Sequence, residues 1–201
     1  MSGNRTSPTL LEQLRDPKQS EAWSTFEGTY RDLVHRYCLR RGLQHADAED
    51  AWQQTLVSLM RALPAFSYDR GRGRFRAYLF VVVRSVLATL HERRIRAPQG
   101  ASIDISAIDE AALVAPGDVY DAAWECEWRS FHFRRAWESL ASEFEPRSLE
   151  AFEALLEGRS IRDVAASLSM SEAALHKVKQ RVRQRLQECI EAQVALEDGA
   201  V

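Results

Sequence analysis

Apolar residues recur at helical spacing along most of the chain, and this pattern predicts an all-α protein. Residues 20–44 carry such a stripe, and Gly42 is typical of a helix end. A second helix is expected from about Asp47 to Leu63, because Pro64 cannot continue it. Its apolar stripe consists of Ala48, Trp52, Leu56, Leu59 and Leu63.

A third helix is predicted from about Phe75 to Arg94, with a middle that is apolar on nearly every side. Packed together, the three helices would form one domain over residues 1–96. Residues 97–122 show no period and contain proline, glycine and acidic residues, so they are expected to be a flexible linker. Residues 123–201 are expected to form a second helical domain.

The net charge of -2 conceals three strongly charged segments. Residues 70–96 hold eight Arg and one Glu, and residues 172–187 hold two Lys and three Arg against one Glu. Between them, residues 97–127 hold seven acidic residues and no Lys or Arg. This alternation predicts two contacts with polyanions and one segment that mimics a polyanion, although solvated helix faces are the plain alternative.

Residues 160–186 form the strongest local motif. Ser160 and Asp163 fit a capping box that opens a short helix, and residues 169–171 fit a turn. A basic amphipathic helix follows, so the segment is typical of a helix-turn-helix, whose second helix fits the major groove. The positions expected to reach phosphates or base edges are Ser171, Ala173, His176, Lys177, Lys179, Gln180, Arg181, Arg183 and Gln184. A basic hairpin without a DNA role is the alternative.

Patterns of catalysis and metal binding are missing from the sequence. There is no Ser/His/Asp arrangement, phosphate-binding glycine loop or HExxH pattern, and the cysteines (Cys38, Cys126 and Cys189) are far apart. We therefore expect no enzymatic activity, no metal and no cofactor. The longest apolar run, residues 77–83, is far shorter than the roughly 20 residues of a membrane span, so a cytoplasmic protein without membrane insertion is expected.

Three segments together resemble one family. Residues 47–54 (Asp-Ala-Glu-Asp-Ala-Trp-Gln-Gln) and 75–84 (Phe-Arg-Ala-Tyr-Leu-Phe-Val-Val-Val-Arg) resemble the polymerase-binding and promoter-melting region of extracytoplasmic-function (ECF) sigma factors of bacterial RNA polymerase. Residues 158–186 resemble the second conserved region of that family. The opening, residues 6–17, is similar to a subgroup found in planctomycetes.

The resemblance implies a role for each domain. The first would bind core polymerase through Asp47, Asp50, Gln53, Gln54, Val57 and Arg61. It would melt the minus-ten promoter element through Tyr68, Arg70, Arg72, Arg74, Arg84, Arg93, Arg94 and Arg96. The residues Phe75 and Tyr78 are expected in the core instead. The linker would follow the path of nascent RNA, and the second domain would bind the minus-thirty-five element.

The implied partners are core RNA polymerase and promoter DNA, with an anti-sigma factor as a further candidate. Two alternatives stay open. One is a helix-turn-helix regulator that binds duplex DNA without polymerase. The other is a degenerate sigma-like interaction module, since Ser85 and Thr89 stand where the family often has Asn and Asp. The acidic second helix and the arginine-rich third helix favour the sigma factor, because a simple regulator needs neither.

Overall fold

The computed structural model describes residues 8–64, 75–96 and 121–197, and the regular elements in these ranges are all helices. They are α1 (Pro8–Gln13), α2 (Ser20–Arg40), α3 (His45–Ala62), α4 (Phe75–Arg96), α5 (Ala122–Leu140), α6 (Pro146–Leu156), α7 (Ile161–Ser167) and α8 (Glu172–Glu197). The all-α prediction is confirmed, and the predicted helices lie within a few residues of their expected ends.

The described residues pack into two compact units. The first comprises residues 8–64, 75–96 and 121–128, together with the end of α8 from Ala195. The second comprises residues 129–194. Helices α5 and α8 therefore each contribute to both units.

Aromatic side chains form the centre of the first unit. Phe26 of α2 stacks on Trp52 of α3, with ring centroids 6.3 Å apart and planes 13° from parallel. The edge of Phe75, the first residue of α4, meets Phe26 at 6.0 Å. Tyr30, one turn along α2, lies 4.9 Å from Phe26 and 5.3 Å from Phe75. These distances are typical of aromatic pairs that contribute beyond their buried area, and they tie three helices into one core.

Two clusters form the core of the second unit. The first joins α5, α6 and α8 through Ala136, Leu140, Phe152, Val182 and Leu186. The second joins α6, α7 and the start of α8 through Ala151, Ala154, Val164, Ala165 and Leu175. Because Leu175, Val182 and Leu186 all lie on one side of α8, the opposite side of that helix is left for solvent or a partner.

The packing divides the chain at a different place from the sequence pattern. Residues 123–128 were assigned to the second domain, but they pack with the first unit because Trp124 and Trp128 are buried against its aromatic residues. The end of α8 packs there too, through the buried Glu197. Residues 97–120 of the predicted linker lie outside the described residues.

Candidate functional surfaces

One face of α3 presents the side chains expected to meet polymerase. Asp50, Gln53, Val57 and Arg61 are exposed, while Asp47 and Gln54 are partly buried. Their spacing of three or four residues places most of them along one stripe of the helix. The opposite stripe is buried and includes Trp52 and Leu59. Val57 is 37% exposed, which is unusual for an apolar side chain in this fold and gives the polar face an apolar centre.

Beside this stripe, α3 is tied to α2 by a charged pair. Arg31 donates to Glu49 at 2.8 Å, and the amide of Gln53 donates to the same carboxylate at 3.3 Å. The bond from Gln53, followed by that from Arg31, outweighs partial burial and lowers the pKa of Glu49. The predicted polymerase-binding residue Gln53 is therefore held in place by a neighbour one turn away.

The arginine-rich segment predicted to contact the minus-ten element is described only in part. Tyr68, Arg70, Arg72 and Arg74 lie outside the described residues, and so do the side chains of Arg93, Arg94 and Arg96. Arg84 is exposed on α4.

Phe75 and Tyr78 are buried, as expected for core residues. Burial raises the pKa of Tyr78 to about 12, so its hydroxyl stays protonated at neutral pH. The hydroxyl of Thr89 donates to the backbone oxygen of Ser85 at 3.0 Å, within its own helix.

The segment predicted as a helix-turn-helix contains two helices, α7 and α8, and a serine caps each of them. The backbone N–H of Asp163 donates to the Ser160 hydroxyl at 3.1 Å, and that hydroxyl donates to the Asp163 carboxylate at 2.7 Å. The Ser160 hydroxyl thus caps the amino end of α7, as the predicted capping box requires of its first residue. In the same way the Ser171 hydroxyl accepts from the N–H of Ala174 at 3.1 Å and caps α8.

The turn between α7 and α8 contains one strained residue. Ser169 has a φ of 50°, in the left-handed region that glycine adopts more easily. The N–H of Met170 donates back to the Ala165 oxygen at 2.8 Å. Arg147, at the start of α6, donates to the backbone oxygens of Leu168 and Ser169. Arg147, which no sequence pattern singles out, thus holds the turn in shape.

All nine residues predicted to contact DNA through the helix-turn-helix are exposed. Two of them have neighbours that restrict their side chains. The guanidinium of Arg181 lies 5.7 Å from the ring centroid of Phe144, in the loop before α6, and the amide of Gln184 donates to Glu188 at 3.0 Å. Lys177 and Gln180 lie on the same polar side of α8, within one turn of Arg181.

Arg185, although part of the basic segment, is engaged within the protein. It donates to both oxygens of Glu143, at 2.6 and 2.9 Å, and to Glu188 at 3.2 Å. The bonds from Arg185 outweigh partial burial and lower the pKa of Glu143. Because its guanidinium is satisfied by two carboxylates, Arg185 contributes less to a phosphate-binding face than its charge suggests.

One family model matches part of the first unit. Residues 28–96, which are 69 of the 201, match the family model Sigma-70 region 2. This part of the chain is similar to Sigma-70 region 2, and we call it the region 2 domain. This match supports a sigma factor that acts with RNA polymerase in promoter recognition, and it covers α3, α4 and most of α2. No curated protein matches the chain significantly.

Sequence reasoning missed a set of contacts between the region 2 domain and the start of α5. Asp121 accepts from the Tyr37 hydroxyl at 2.8 Å. It also caps α5, accepting from the N–H groups of Ala123 and Trp124 at 2.9 and 3.1 Å. Burial raises the pKa of Asp121, but the bonds from Trp124, Tyr37 and Ala123 outweigh it, so the pKa lies below its usual range.

A sequence pattern indicates that the start of α5 is buried, but it does not indicate which helices cover it. Trp124 and Trp128 are spaced for one buried helix face, and both belong to the segment predicted as the second domain. Instead Trp124 meets Tyr37 and Phe80 at 5.2 and 5.3 Å. Spacing predicts that a face is buried, but it does not identify the surface that covers it.

The described residues show neither a metal cluster nor a membrane span. No three His, Cys, Asp or Glu side chains in this part of the chain lie close enough to hold a metal ion. None of the described helices is both long and apolar enough to cross a bilayer.

Proposed function

We propose that this protein is an ECF sigma factor that directs RNA polymerase to specific promoters. The observation that carries the proposal is the order of two parts in one chain. A segment similar to Sigma-70 region 2 comes first, and a short helix, a turn and a long helix with an exposed basic face follow it. A regulator that only binds duplex DNA needs the second part but not the first.

In this proposal the exposed face of α3 binds core polymerase. Asp50 and Gln54 offer acceptors to a basic partner surface, and Val57, one turn beyond Gln54, adds an apolar contact. Interfaces commonly combine an apolar centre with a polar rim. Arg61 and Asp47 extend the same stripe toward the two ends of α3.

Promoter contacts are divided between the units. The arginines and Tyr68 around the start and end of α4 take the minus-ten element, where aromatic faces stack on extruded bases and arginines hold the backbone. The polar side of α8 takes the minus-thirty-five element in the major groove. The protein acts in the cytoplasm with core polymerase and promoter DNA, an anti-sigma factor is a further partner, and catalysis belongs to polymerase. We infer from the similarity of residues 6–17 that it belongs to the planctomycete-like subgroup.

A titration with core polymerase tests the polymerase-binding face. The double variant Asp50→Arg with Gln54→Arg should weaken core binding at least about tenfold, a loss of roughly 1.4 kcal/mol. The matched control is Glu12→Arg with Gln13→Arg, which changes the same residue charges on the exposed part of α1. We expect the control to bind like the wild type. Equal binding by all three proteins would remove the α3 face from the interface.

A further inference from the structure

Three arginines of the region 2 domain meet carboxylates from the start of α5. The pairs are Arg40 with Glu127 at 2.7 Å, Arg41 with Asp121 at 3.6 Å, and Arg76 with Glu125. Arg40 and Arg41 lie at the end of α2, and Arg76 lies in the first turn of α4. Every acidic residue of the segment 121–128 is therefore placed against an arginine.

Aromatic side chains alternate with these ion pairs. Trp124 packs against Tyr37 and Phe80, while Trp128 stacks on Tyr30 with centroids 6.4 Å apart and planes 22° from parallel. The contacts run in opposite order along α2 and α5, because Asp121 meets the end of α2 and Trp128 its middle. Segment 121–128 thus lies antiparallel to α2 and covers a face that we call the α2–α4 face, defined by Tyr30, Tyr37, Arg40, Arg41, Arg76 and Phe80.

We propose that the α2–α4 face is a binding site for single-stranded nucleic acid, and that segment 121–128 occupies it as a mimic of such a strand. The carboxylates stand where phosphates would pair with the arginines. The indole of Trp128 stands where a base would stack on Tyr30. The indole of Trp124 meets Tyr37 edge-on and Phe80 at a tilt, so it occupies the place of a second base. Proteins that bind single strands combine a basic groove with aromatic platforms in this way.

The exposure of Arg40 and Arg41 explains how a nucleic-acid strand could compete with segment 121–128 for their guanidiniums. The side chains of Arg40 and Arg41 are 49% and 54% exposed, although Glu127 is only 6% exposed. A phosphate can therefore approach these two guanidiniums from the solvent, and each phosphate that replaces a carboxylate also releases counterions. The buried indoles of Trp124 and Trp128 provide most of the affinity that keeps the segment in place. The site is consequently masked. Its apparent affinity for a strand is the intrinsic affinity multiplied by the fraction of molecules in which the site is uncovered.

This site goes beyond the proposed function. It is formed by residues other than those assigned to the minus-ten and minus-thirty-five elements, and it needs no polymerase. Its failure would leave the polymerase-dependent account intact, and failure of that account would not alter strand binding by the isolated protein.

The test is fluorescence anisotropy of a labelled 20-nucleotide oligothymidylate titrated with the full chain. The triple variant Asp121→Asn, Glu125→Gln and Glu127→Gln removes the mimicking charges and leaves the side-chain shapes. It should bind the strand about tenfold more tightly at low salt, since it raises the competent fraction. The salt slope should steepen by about two, because three contacts on a single strand contribute roughly 0.7 each.

Two matched variants distinguish an effect at the α2–α4 face from a general effect of the protein's net charge. Glu12→Gln, Glu138→Gln and Glu153→Gln remove three exposed acidic charges elsewhere and should leave the slope at its wild-type value. Adding Arg40→Gln and Arg41→Gln to the first triple variant should abolish its gain. If the triple variant fails to fold, Glu127→Gln alone should still tighten binding by a smaller factor.

The proposal is overturned by any of three results in folded variants. The first is no tightening when the carboxylates are neutralised. The second is equal tightening by the control triple. The third is an equal gain for a 20-base-pair duplex, because a duplex cannot present its bases to the tyrosines.

Discussion

The hydroxyl of Tyr30 in α2 donates a hydrogen bond of 3.0 Å to the carboxylate of Glu197, 167 residues further along the chain. Both side chains are buried, and the other side of Tyr30 stacks on Trp128. Tyr30 is therefore the point at which α2, the start of α5 and the last turn of α8 meet. A buried carboxylate needs such partners, since leaving it short of one costs free energy.

Tyr30→Phe should lower the free energy of unfolding by about 1.5–3 kcal/mol, the usual contribution of a hydrogen bond to a charged group. The measurement is equilibrium unfolding in urea, followed by tryptophan fluorescence. Glu191→Gln is the control, because Glu191 is an exposed residue on the same helix and should change stability by less than about 0.5 kcal/mol. A Tyr30→Phe protein as stable as this control would show that the bond contributes nothing.

The turn of the helix-turn-helix offers a stabilising change. Ser169→Gly should raise the free energy of unfolding by about 0.5–1 kcal/mol, because relief of left-handed strain exceeds the added entropy of the unfolded chain. The same substitution at Ser167, inside α7, should instead lower stability by about 0.5 kcal/mol. The measurement is thermal unfolding of the two variants. A loss of stability in both would show that the backbone of Ser169 is not strained.

Contacts with phosphates and with bases should separate on α8. Gln180→Ala should relax the preference at one or two base positions, at a cost of roughly 1–3 kcal/mol for the preferred sequence. Glutamine pairs bidentately with adenine, so we expect an A·T pair at that position. Arg183→Ala should weaken all sequences alike and lower the salt slope by roughly one unit.

The measurement for α8 is binding to a randomised minus-thirty-five library at two salt concentrations. His176→Ala serves as a neighbour on the same exposed side. If Arg183→Ala changes the preferred sequence and Gln180→Ala does not, the rotational assignment of α8 is wrong.

Periodicity was sufficient to predict the helices and the two exposed faces. The stripe of Trp52 and Leu59 in α3 identifies the opposite, exposed side of that helix, and Leu175 and Val182 do the same for α8. These features depend on neighbours within a few residues, and local sequence records them.

Contacts between distant segments were not predictable in the same way. The spacing of Trp124 and Trp128 predicted burial but not the tyrosines that cover them. Nothing near Glu197 indicates that its carboxylate is buried against Tyr30, and nothing near Arg147 indicates the turn that it holds. Such contacts depend on how the chain returns on itself. The roles of residues 65–74 and of the linker up to residue 120 remain predictions.

We propose that this chain gives RNA polymerase its promoter specificity. Run-off transcription tests it most directly, with purified protein, core RNA polymerase and a library of genomic promoters. We expect RNA from defined start sites when protein and core are both present, and none from either alone. The account would be contradicted by a protein that binds specific duplexes tightly by itself and yet never directs core polymerase to start transcription.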